Sequence, residues 1–295
     1  RLLRKGNVLI DGRRADRSSR VGSGQIIEVR NAAVRRTAAL LKVAPETVGR
    51  LSVLYEGHGI LGVNKPAGLA SQEELGALAR AYLDGRVEPS LSFRPGPLHR
   101  LDRAASGVMV FGSALAGARL FSALMRDGLL RKTYLALVEG VLDDERVWDD
   151  CLTYDSRSRR ATVAGADGVG TTNGKSPGSG TAAKRAQTRV FPVEASGGVT
   201  LVRAKISTGR THQIRAQAAA HGFPLYGDQK YGGKNRPPFF LHALSIGFPK
   251  DCPFPASITA PVPPAFLKKL AELGFHVQGN AESAPLGINA GYCED

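Results

Sequence analysis

Strand-like runs outnumber helix-like runs along this chain, and the two kinds do not alternate in the regular order of a parallel α/β protein. The clearest strand lies at residues 131–140, where side chains alternate between two faces. One face takes Thr133, Leu135 and Leu137, and the other takes Tyr134, Ala136 and Val138. Because strands dominate, we predict an α+β fold with a mixed, largely antiparallel sheet flanked by helices.

The remaining elements are predicted from turn signals and from helical spacing. Apolar runs between Gly-containing turns predict further strands within 51–65 and at 106–112, 185–195, 198–208 and 239–248. Helices are predicted at 73–83, 114–128, 211–222 and 263–274. Thr211 is the expected N-cap of the third helix, and Gly222 is its expected stop. Residues 165–184, rich in Gly, Ser and Thr, predict a long hairpin tip or a mobile excursion.

The charge of the chain is strongly positive and unevenly distributed. The net charge is +14 and the pI is about 10.0, which favours binding to a polyanion such as a phosphate backbone. Residues 1–36 carry ten basic and three acidic side chains, and so hold half of the net charge.

Cysteine and histidine usage argues against disulfides and metal centres. The three cysteines are far apart and odd in number, which indicates a reducing compartment. Neither the cysteines nor the six histidines show metal-ligand spacing, so we expect no metal. We find no secretory signal and no apolar run of membrane-spanning length. A cytoplasmic protein is expected, or an organellar one if the start "RLLRKG" results from processing.

The stretch "PLHRLDRAASG" (97–107) places a single carboxylate, Asp102, between Arg100 and Arg103. An Asp in such a setting is most often a surface ion pair. Small residues follow it, however, so a substrate can approach the backbone closely. A carboxylate in such a pocket needs a cationic partner, and "TGRTHQIRAQ" offers two, Arg210 and Arg215. Arg215 is the better directed of the two because it lies on a predicted helix.

Several ordered motifs resemble the RluA family of RNA pseudouridine synthases. They are "HRLDRAASG", "RKTYLALVEG" and "TGRTHQIRAQ…GFPLYGDQKYGG", together with "YEGHGILGVNKPAGLASQ" and "FFLHALSIGFP". A shorter resemblance relates residues 1–30 to the later part of an S4 RNA-binding domain. We therefore predict a partial S4-like α/β segment (1–36), a linker (37–50), a pseudouridine synthase domain (51–278) and a flexible tail (279–295).

The resemblance implies roles for individual side chains. Asp102 would be the catalytic carboxylate, Tyr134 would stack on the base and act as a general base, and Arg215 would pair with Asp102. Substrate contacts are expected from His99, Arg100, Arg103, Lys132, Arg210 and Ile214. His99 and Arg100 would belong to the loop that replaces the flipped nucleotide, and Lys132 would be a charge at the pocket edge.

Three stretches within these motifs carry further expectations. The family loop usually reads Asp-Thr-Ser-Gly where this chain has Ala104, Ala105, Ser106 and Gly107. Loss of an acid and a hydroxyl that could brace the loop predicts a less rigid loop. "NKPAG" (64–68) and "YGDQKYGG" (226–233) are interpreted as structural turns, not as catalytic or phosphate-binding elements.

The predicted activity is the isomerisation of uridine to pseudouridine in structured RNA. Large-subunit ribosomal RNA is the first expected substrate and tRNA the second. No cofactor is expected, because the reaction changes no oxidation state and releases no atom, and we expect a monomer. One alternative is a non-catalytic RNA-binding or ribosome-assembly factor that kept the fold. Another is a carboxylate-dependent hydrolase, which would need a second acidic partner.

Overall fold

The computed structural model of the chain describes residues 8–16, 18–29, 51–87, 93–164 and 182–276. The chain divides into two compact units, Arg1–Pro45 and Glu46–Asp295. The predicted linker, the predicted C-terminal tail and residues 165–181 of the Gly/Ser/Thr-rich stretch lie outside the described residues.

The first unit contains a small antiparallel sheet in the order β2-β1-β3. Its strands are β1 (Val8–Ile10), β2 (Arg13–Arg14) and β3 (Ile27–Val29). Asp11 takes positive φ in the turn between β1 and β2. Its carboxylate accepts from the backbone N–H of Ile26 (2.8 Å), which ties this turn to the start of β3.

The second unit is built on one mixed sheet of eleven strands. Those strands are β4 (Val53–Gly57), β5 (Ile60–Lys65), β6 (Gly96–Pro97), β7 (Ser106–Gly112), β8 (Arg131–Glu139), β9 (Arg146–Asp155), β10 (Arg160–Val163), β11 (Lys184–Ser196), β12 (Val199–Ile206), β13 (Leu241–Gly247) and β14 (Ser257–Thr259). The main path runs β10-β9-β11-β12-β8-β13-β7-β5-β4. Among the described pairings, only β13 with β7 is parallel, which confirms the predicted mixed, largely antiparallel sheet.

Four helices lie beside this sheet in the described ranges, at or within the predicted segments. They are α1 (Glu74–Leu83), α2 (Leu115–Arg126), α3 (Gln213–Ala220) and α4 (Pro264–Glu272). Strand β8 lies near the middle of the sheet, and apolar clusters cover both of its faces. Leu135 and Leu137 pack with Phe266 of α4, whereas Tyr134 and Ala136 belong to the cluster that faces α3. The predicted two-faced alternation of this strand is therefore confirmed.

The outer edge of the sheet differs from the prediction. No strand was predicted over 146–163, yet β9 and β10 occupy this stretch. Within β9 only Trp148 and Leu152 are buried. Because its other residues are mostly polar, the sequence shows no alternation of apolar and polar residues that would predict a strand. Both β10 and β11 pair with β9, so β9 lies between them in the sheet.

Two histidines, His242 buried and His99 partly buried, predict that the fold loses stability in mild acid. His242 has no exposed surface, and its Nδ1 lies 2.9 Å from the Ser106 hydroxyl. His99 stacks on Phe121, and its Nε2 accepts from the Val110 N–H at 3.0 Å. Burial lowers the pKa of both histidines from 6.5 to about 4.

Between pH 6.5 and 4 these two side chains are protonated in the unfolded chain and neutral in the folded one. The free energy of unfolding should therefore fall with pH, by about 3 kcal/mol for each histidine at pH 4. Urea unfolding between pH 7 and 4 measures the loss. His242→Gln should remove about half of this pH slope, whereas the control His276→Gln, at a side chain 91% exposed, should leave it unchanged. Equal stability at pH 7 and 4 would contradict the prediction.

Candidate active site

Asp102 and Arg215 meet in a cleft of the second unit although 113 residues separate them in sequence. The Nη1 of Arg215 donates to Asp102 Oδ2 at 2.9 Å. Its other two nitrogens donate to Asp228, Nε to Oδ2 at 2.6 Å and Nη2 to Oδ1 at 2.9 Å. The side chains of Arg215 and Asp228 are 8% and 1% exposed, whereas that of Asp102 is 15% exposed and faces the cleft. Asp228 thus holds the guanidinium in an orientation that directs Nη1 toward Asp102.

Aromatic rings fix the plane of this guanidinium. Its carbon lies 4.8 Å from the ring centre of Tyr231 and 4.4 Å from that of Phe239. Burial opposes the charge of Arg215, but the hydrogen bonds and charges of Asp228 and Asp102 outweigh it and raise its pKa. Arg215 therefore stays cationic and oriented without the help of a substrate.

Tyr134 lines the same cleft from β8, between β12 and β13. The residue is 8% exposed. Burial, and next the charge of Asp102, raise the pKa of its phenol, so the hydroxyl keeps its proton at neutral pH. Apolar side chains complete the lining near the ring: Leu101, Ala105, Ile206, Ile214 and Leu241. The cleft therefore combines a carboxylate, a protonated phenol and an apolar wall that suits a planar base.

The Asp102 loop is braced by Lys65, at the end of β5. The Lys65 ammonium donates to three carbonyls, those of Pro66 (3.0 Å), Arg103 (3.0 Å) and Ala105 (2.6 Å). Lys65 has no exposed surface, and this burial lowers its pKa to about 8, with Asp102 opposing the shift. Only the last part of "NKPAG" is the predicted turn, because Asn64 and Lys65 end strand β5, and Lys65 supplies the central support of the loop.

Two further contacts tie the loop to residues 68–74. The Ser71 hydroxyl donates to the carbonyl of Leu101 (2.8 Å) and accepts from its N–H (3.1 Å). The Arg103 guanidinium binds both oxygens of Glu74 and the carbonyl of Gly68. The loop is therefore braced from a neighbouring segment of the chain, and a loss of rigidity at Ala104 and Ala105 stays a prediction.

The structure brings three of the six expected substrate contacts to the cleft: Arg100, Arg210 and Ile214. Arg100 and Arg210 are exposed, and Arg210 Nε also donates to the Arg185 carbonyl (3.2 Å). Ile214 is 5% exposed and belongs to the apolar wall.

The other three side chains are directed elsewhere. His99 packs on Phe121 behind the loop, and the Arg103 side chain is held by Glu74. Lys132 is 6% exposed, and its ammonium donates to the Thr208 carbonyl at 3.1 Å. Burial, and next the charge of Arg210, lower its pKa to about 8. Lys132 is therefore buried beneath 208–211 and is not the pocket-edge charge that was predicted.

Helix α3 starts later than predicted. His212 takes the left-handed conformation (φ 55°) at the N-cap position, so Thr211 is not the cap. The Gln213 side chain closes this end instead, because its Oε1 accepts from the Arg210 N–H (3.1 Å) and the Thr208 hydroxyl (2.7 Å). At the other end Gly222 has φ 85° immediately after the cap residue, as expected for a helix stop.

Sequence reasoning missed four side chains of this site: Lys65, His212, Asp228 and Tyr231. All four lie inside motifs that had been quoted for the family resemblance, and so the signal was present. Asp228 was missed because it is an acidic residue in a glycine-rich turn, and most acidic residues in such turns lie on the surface. It does not supply the free second carboxylate that the hydrolase alternative needs, since both of its oxygens bind Arg215.

The described residues contain neither a membrane-spanning helix nor a cluster of metal-ligating side chains. None of these helices combines the length and the apolar character that a membrane crossing requires. In the same ranges, no three His, Cys, Asp or Glu side chains gather as metal ligands would.

The family model and the most similar relatives all indicate the same protein family. The model of the RNA pseudouridylate synthase family matches residues 59–220. The uncharacterised RNA pseudouridine synthase YlyB of Bacillus subtilis strain 168 is 32% identical over 210 residues, 67% of this chain and 64% of that protein. The chain thus spans less than two thirds of that relative. Ribosomal large subunit pseudouridine synthase C of Pasteurella multocida is 29% identical over 293 residues, 92% of this chain and 84% of that protein.

A solved structure supports the fold. Human RNA pseudouridylate synthase domain containing 4 superposes with a TM-score of 0.62 at 20% identity, over 77% of this chain and 94% of that one. The family match covers more than half of the chain, but it starts beyond the N-terminal sheet and does not identify that sheet as an S4 domain. With the fold and the sequence in agreement, this chain belongs to the RNA pseudouridylate synthase family.

Proposed function

We propose that this chain converts uridine to pseudouridine in RNA, with Asp102 as the nucleophile. One observation carries the proposal: in a member of this family, Asp102 faces the cleft with one oxygen held by a guanidinium that Asp228 and two rings fix in place. Oδ2 is occupied by Arg215, so Oδ1 is the oxygen left to attack.

The reaction breaks the C1′–N1 bond, turns the uracil and rejoins it to the sugar through C5. Asp102 supplies the bond that holds the sugar while the uracil is free. The apolar wall beside Tyr134 retains the detached uracil, and the ring can stack on it. The raised pKa of Tyr134 makes its hydroxyl a hydrogen-bond donor at neutral pH, which favours the stacking role of this side chain over the role of general base.

An RNA substrate is supported by the surroundings of the cleft. A second groove shares Gly209, Arg210 and Thr211 with it, and Tyr154 and Lys184 line its other side. A groove with basic and aromatic side chains next to the reacting base suits the neighbouring nucleotides of a polymer. The target base must leave its stack, at a cost of a few kcal/mol, and contacts of exposed arginines with phosphates can offset this cost.

Large-subunit ribosomal RNA is the substrate we favour, with tRNA second. The similarity to a ribosomal large subunit pseudouridine synthase C extends over most of both chains, which supports this order. We also propose that the N-terminal sheet contacts RNA in the manner of an S4 domain, since Arg13 and Arg14 of β2 are exposed in a strongly basic segment.

The test is to incubate the purified chain with unmodified transcripts of large-subunit rRNA and of tRNAs, and to map pseudouridine by carbodiimide-dependent primer extension. Pseudouridine at defined positions of the rRNA transcript is expected. Modification of tRNA alone would overturn the preferred substrate. Absence of pseudouridine from every transcript would overturn the proposed activity and favour a non-catalytic RNA-binding factor.

A further inference from the structure

His212 is the residue of this cleft that neither the ion pair nor the apolar wall explains. Its Nε2 lies 3.6 Å from Asp102 Oδ1, the oxygen that Arg215 leaves free, and its side chain is 13% exposed. Its Nδ1 lies 2.7 Å from the hydroxyl of Tyr231. The side chain does not cap helix α3, so its placement does not serve the helix end.

The hydrogen bonds of Tyr231 determine which nitrogen of His212 carries the proton. The Tyr231 oxygen accepts from the backbone N–H of Ala161 at 2.8 Å. Its own proton therefore points to its other partner, the Nδ1 of His212. Burial raises the pKa of Tyr231 to about 12, so that this proton is present at neutral pH. Nδ1 is thus an acceptor, and a neutral His212 carries its proton on Nε2.

The Nε2–H of His212 is consequently a donor that faces the cleft, and no acceptor among the described residues lies within hydrogen-bond distance of it. Its distance of 3.6 Å from Asp102 Oδ1 exceeds that of a formed hydrogen bond. The groups that act on its charge are Asp102, Arg215, Lys230 and Asp228. Burial is the largest influence and lowers the pKa of His212 below 6.5, which favours the neutral, singly protonated ring at pH 7.

The backbone of His212 gives an independent indication. Its left-handed conformation (φ 55°) is uncommon for residues other than glycine. Strained residues that the surrounding structure maintains cluster at active sites. Of the four non-glycine residues that have positive φ in the described ranges, His212 is the one that lines the cleft.

We propose that His212 is a catalytic hydrogen-bond donor, whose Nε2–H stabilises the negative charge of the detached uracil, and that Tyr231 positions it by fixing its tautomer. This inference rests on the proposed function. When the C1′–N1 bond breaks, its electron pair stays on the uracil, while an oxygen of Asp102 bonds to C1′. The bond between the Asp102 oxygen and C1′ breaks when C5 bonds to C1′, which restores the carboxylate. C5 then gives its proton to a water molecule and N1 takes one from water, so that no proton is gained or lost overall. His212 donates a hydrogen bond to the charged uracil and keeps its proton throughout.

The test compares two substitutions of His212 whose amide groups lie at different distances from the backbone. His212→Gln places an amide N–H near the position of Nε2, whereas His212→Asn ends near the position of Nδ1 and cannot donate into the cleft. Single-turnover pseudouridine formation on the rRNA transcript should fall about 100-fold for His212→Asn, the usual loss for one oxyanion donor. It should stay within about tenfold of wild type for His212→Gln, because a donor remains near the same place. Filter binding of the transcript should be unchanged for both variants.

Asn suits a left-handed backbone, so His212→Asn should unfold at a temperature no lower than wild type, which separates lost chemistry from lost structure. A wild-type rate for His212→Asn would overturn the inference, as would equal losses for Asn and Gln. If the wild-type chain forms no pseudouridine, the proposed function fails and the inference fails with it.

The tautomer can be tested without activity. In the 15N spectrum of His212 at pH 7 the proton is expected on Nε2, and Tyr231→Phe should yield a mixture of tautomers. A proton on Nδ1 in the wild-type chain would overturn the assignment of the donor even if the enzyme is active.

Discussion

Asp102→Asn is expected to lower pseudouridine formation by at least about 10⁴-fold, the scale of loss when an enzyme loses its nucleophile. Asn has the shape of Asp, and its amide oxygen can still accept from Arg215 Nη1, the donor that lies 2.9 Å from Asp102. An amide oxygen does not attack a sugar carbon, however, so the chemistry should stop while the cleft keeps its form. Carbodiimide mapping of time points on the rRNA transcript measures the rate.

The affinity of Asp102→Asn for RNA should differ little from that of the wild-type chain, in contrast to its rate. The basic surface is untouched by Asp102→Asn, so filter binding of the same transcript should stay within about threefold of wild type. Asp143→Asn, at an exposed acid outside the cleft, is the matched control and should leave both the rate and the affinity unchanged. Equal rates for wild type and Asp102→Asn would exclude Asp102 as the nucleophile.

Lys65→Met is expected to destabilise the second unit by about 3 kcal/mol, because it leaves three backbone carbonyls without their donor. Met fills a similar volume, so the loss reflects hydrogen bonds more than packing. The Asp102 loop should lose its position, since two of these carbonyls belong to Arg103 and Ala105. A displacement near 1 Å costs roughly 100-fold in rate, and so we expect a loss of activity on that scale.

Urea unfolding and single-turnover rates at 25 °C measure the two effects of Lys65→Met together. Lys268→Met removes an equal charge from the exposed side of α4 and should change neither quantity. If Lys65→Met kept both the stability and the rate of the wild-type chain, the loop would not depend on this ammonium.

Periodic segments were predictable from the sequence because their packing follows a local rule. Strand β7 has the predicted bounds, and β8 shows the predicted division between its two faces. Strand β9 was not predictable in this way, since eight of its ten residues are not fully buried. Near the edge of the sheet, where only β10 lies beyond β9, the contrast in burial between the two faces is weak, and β9 is defined by its pairing with β10 and β11.

Site residues were predictable from the sequence where the family motif assigns them a role. They were not predictable where their role depends on a contact with a distant part of the chain. The pairing of Asp102 with Arg215 was expected from the family resemblance, and the structure places the two side chains in contact. Lys65 and Asp228 were interpreted as parts of turns, because local sequence does not show which distant group a buried charge will reach. The carbonyls that Lys65 binds lie up to 40 residues away. Lys132 was wrongly predicted at the pocket edge for the same reason, since only the fold shows that its side chain is buried against the Thr208 carbonyl.

The parallel pairing of β7 with β13 has a consequence for protein synthesis. It joins Ser106 to His242, 136 residues later in the chain. At about 5–20 residues per second, the ribosome needs roughly 7–30 s to add that length. Throughout this interval the Asp102 loop lacks the strand that orders its C-terminal side, and Arg215 and Asp228 are added only within the last part of it. A nascent chain therefore lacks the complete cleft, and the proposed activity can begin only when the second half of the domain has emerged.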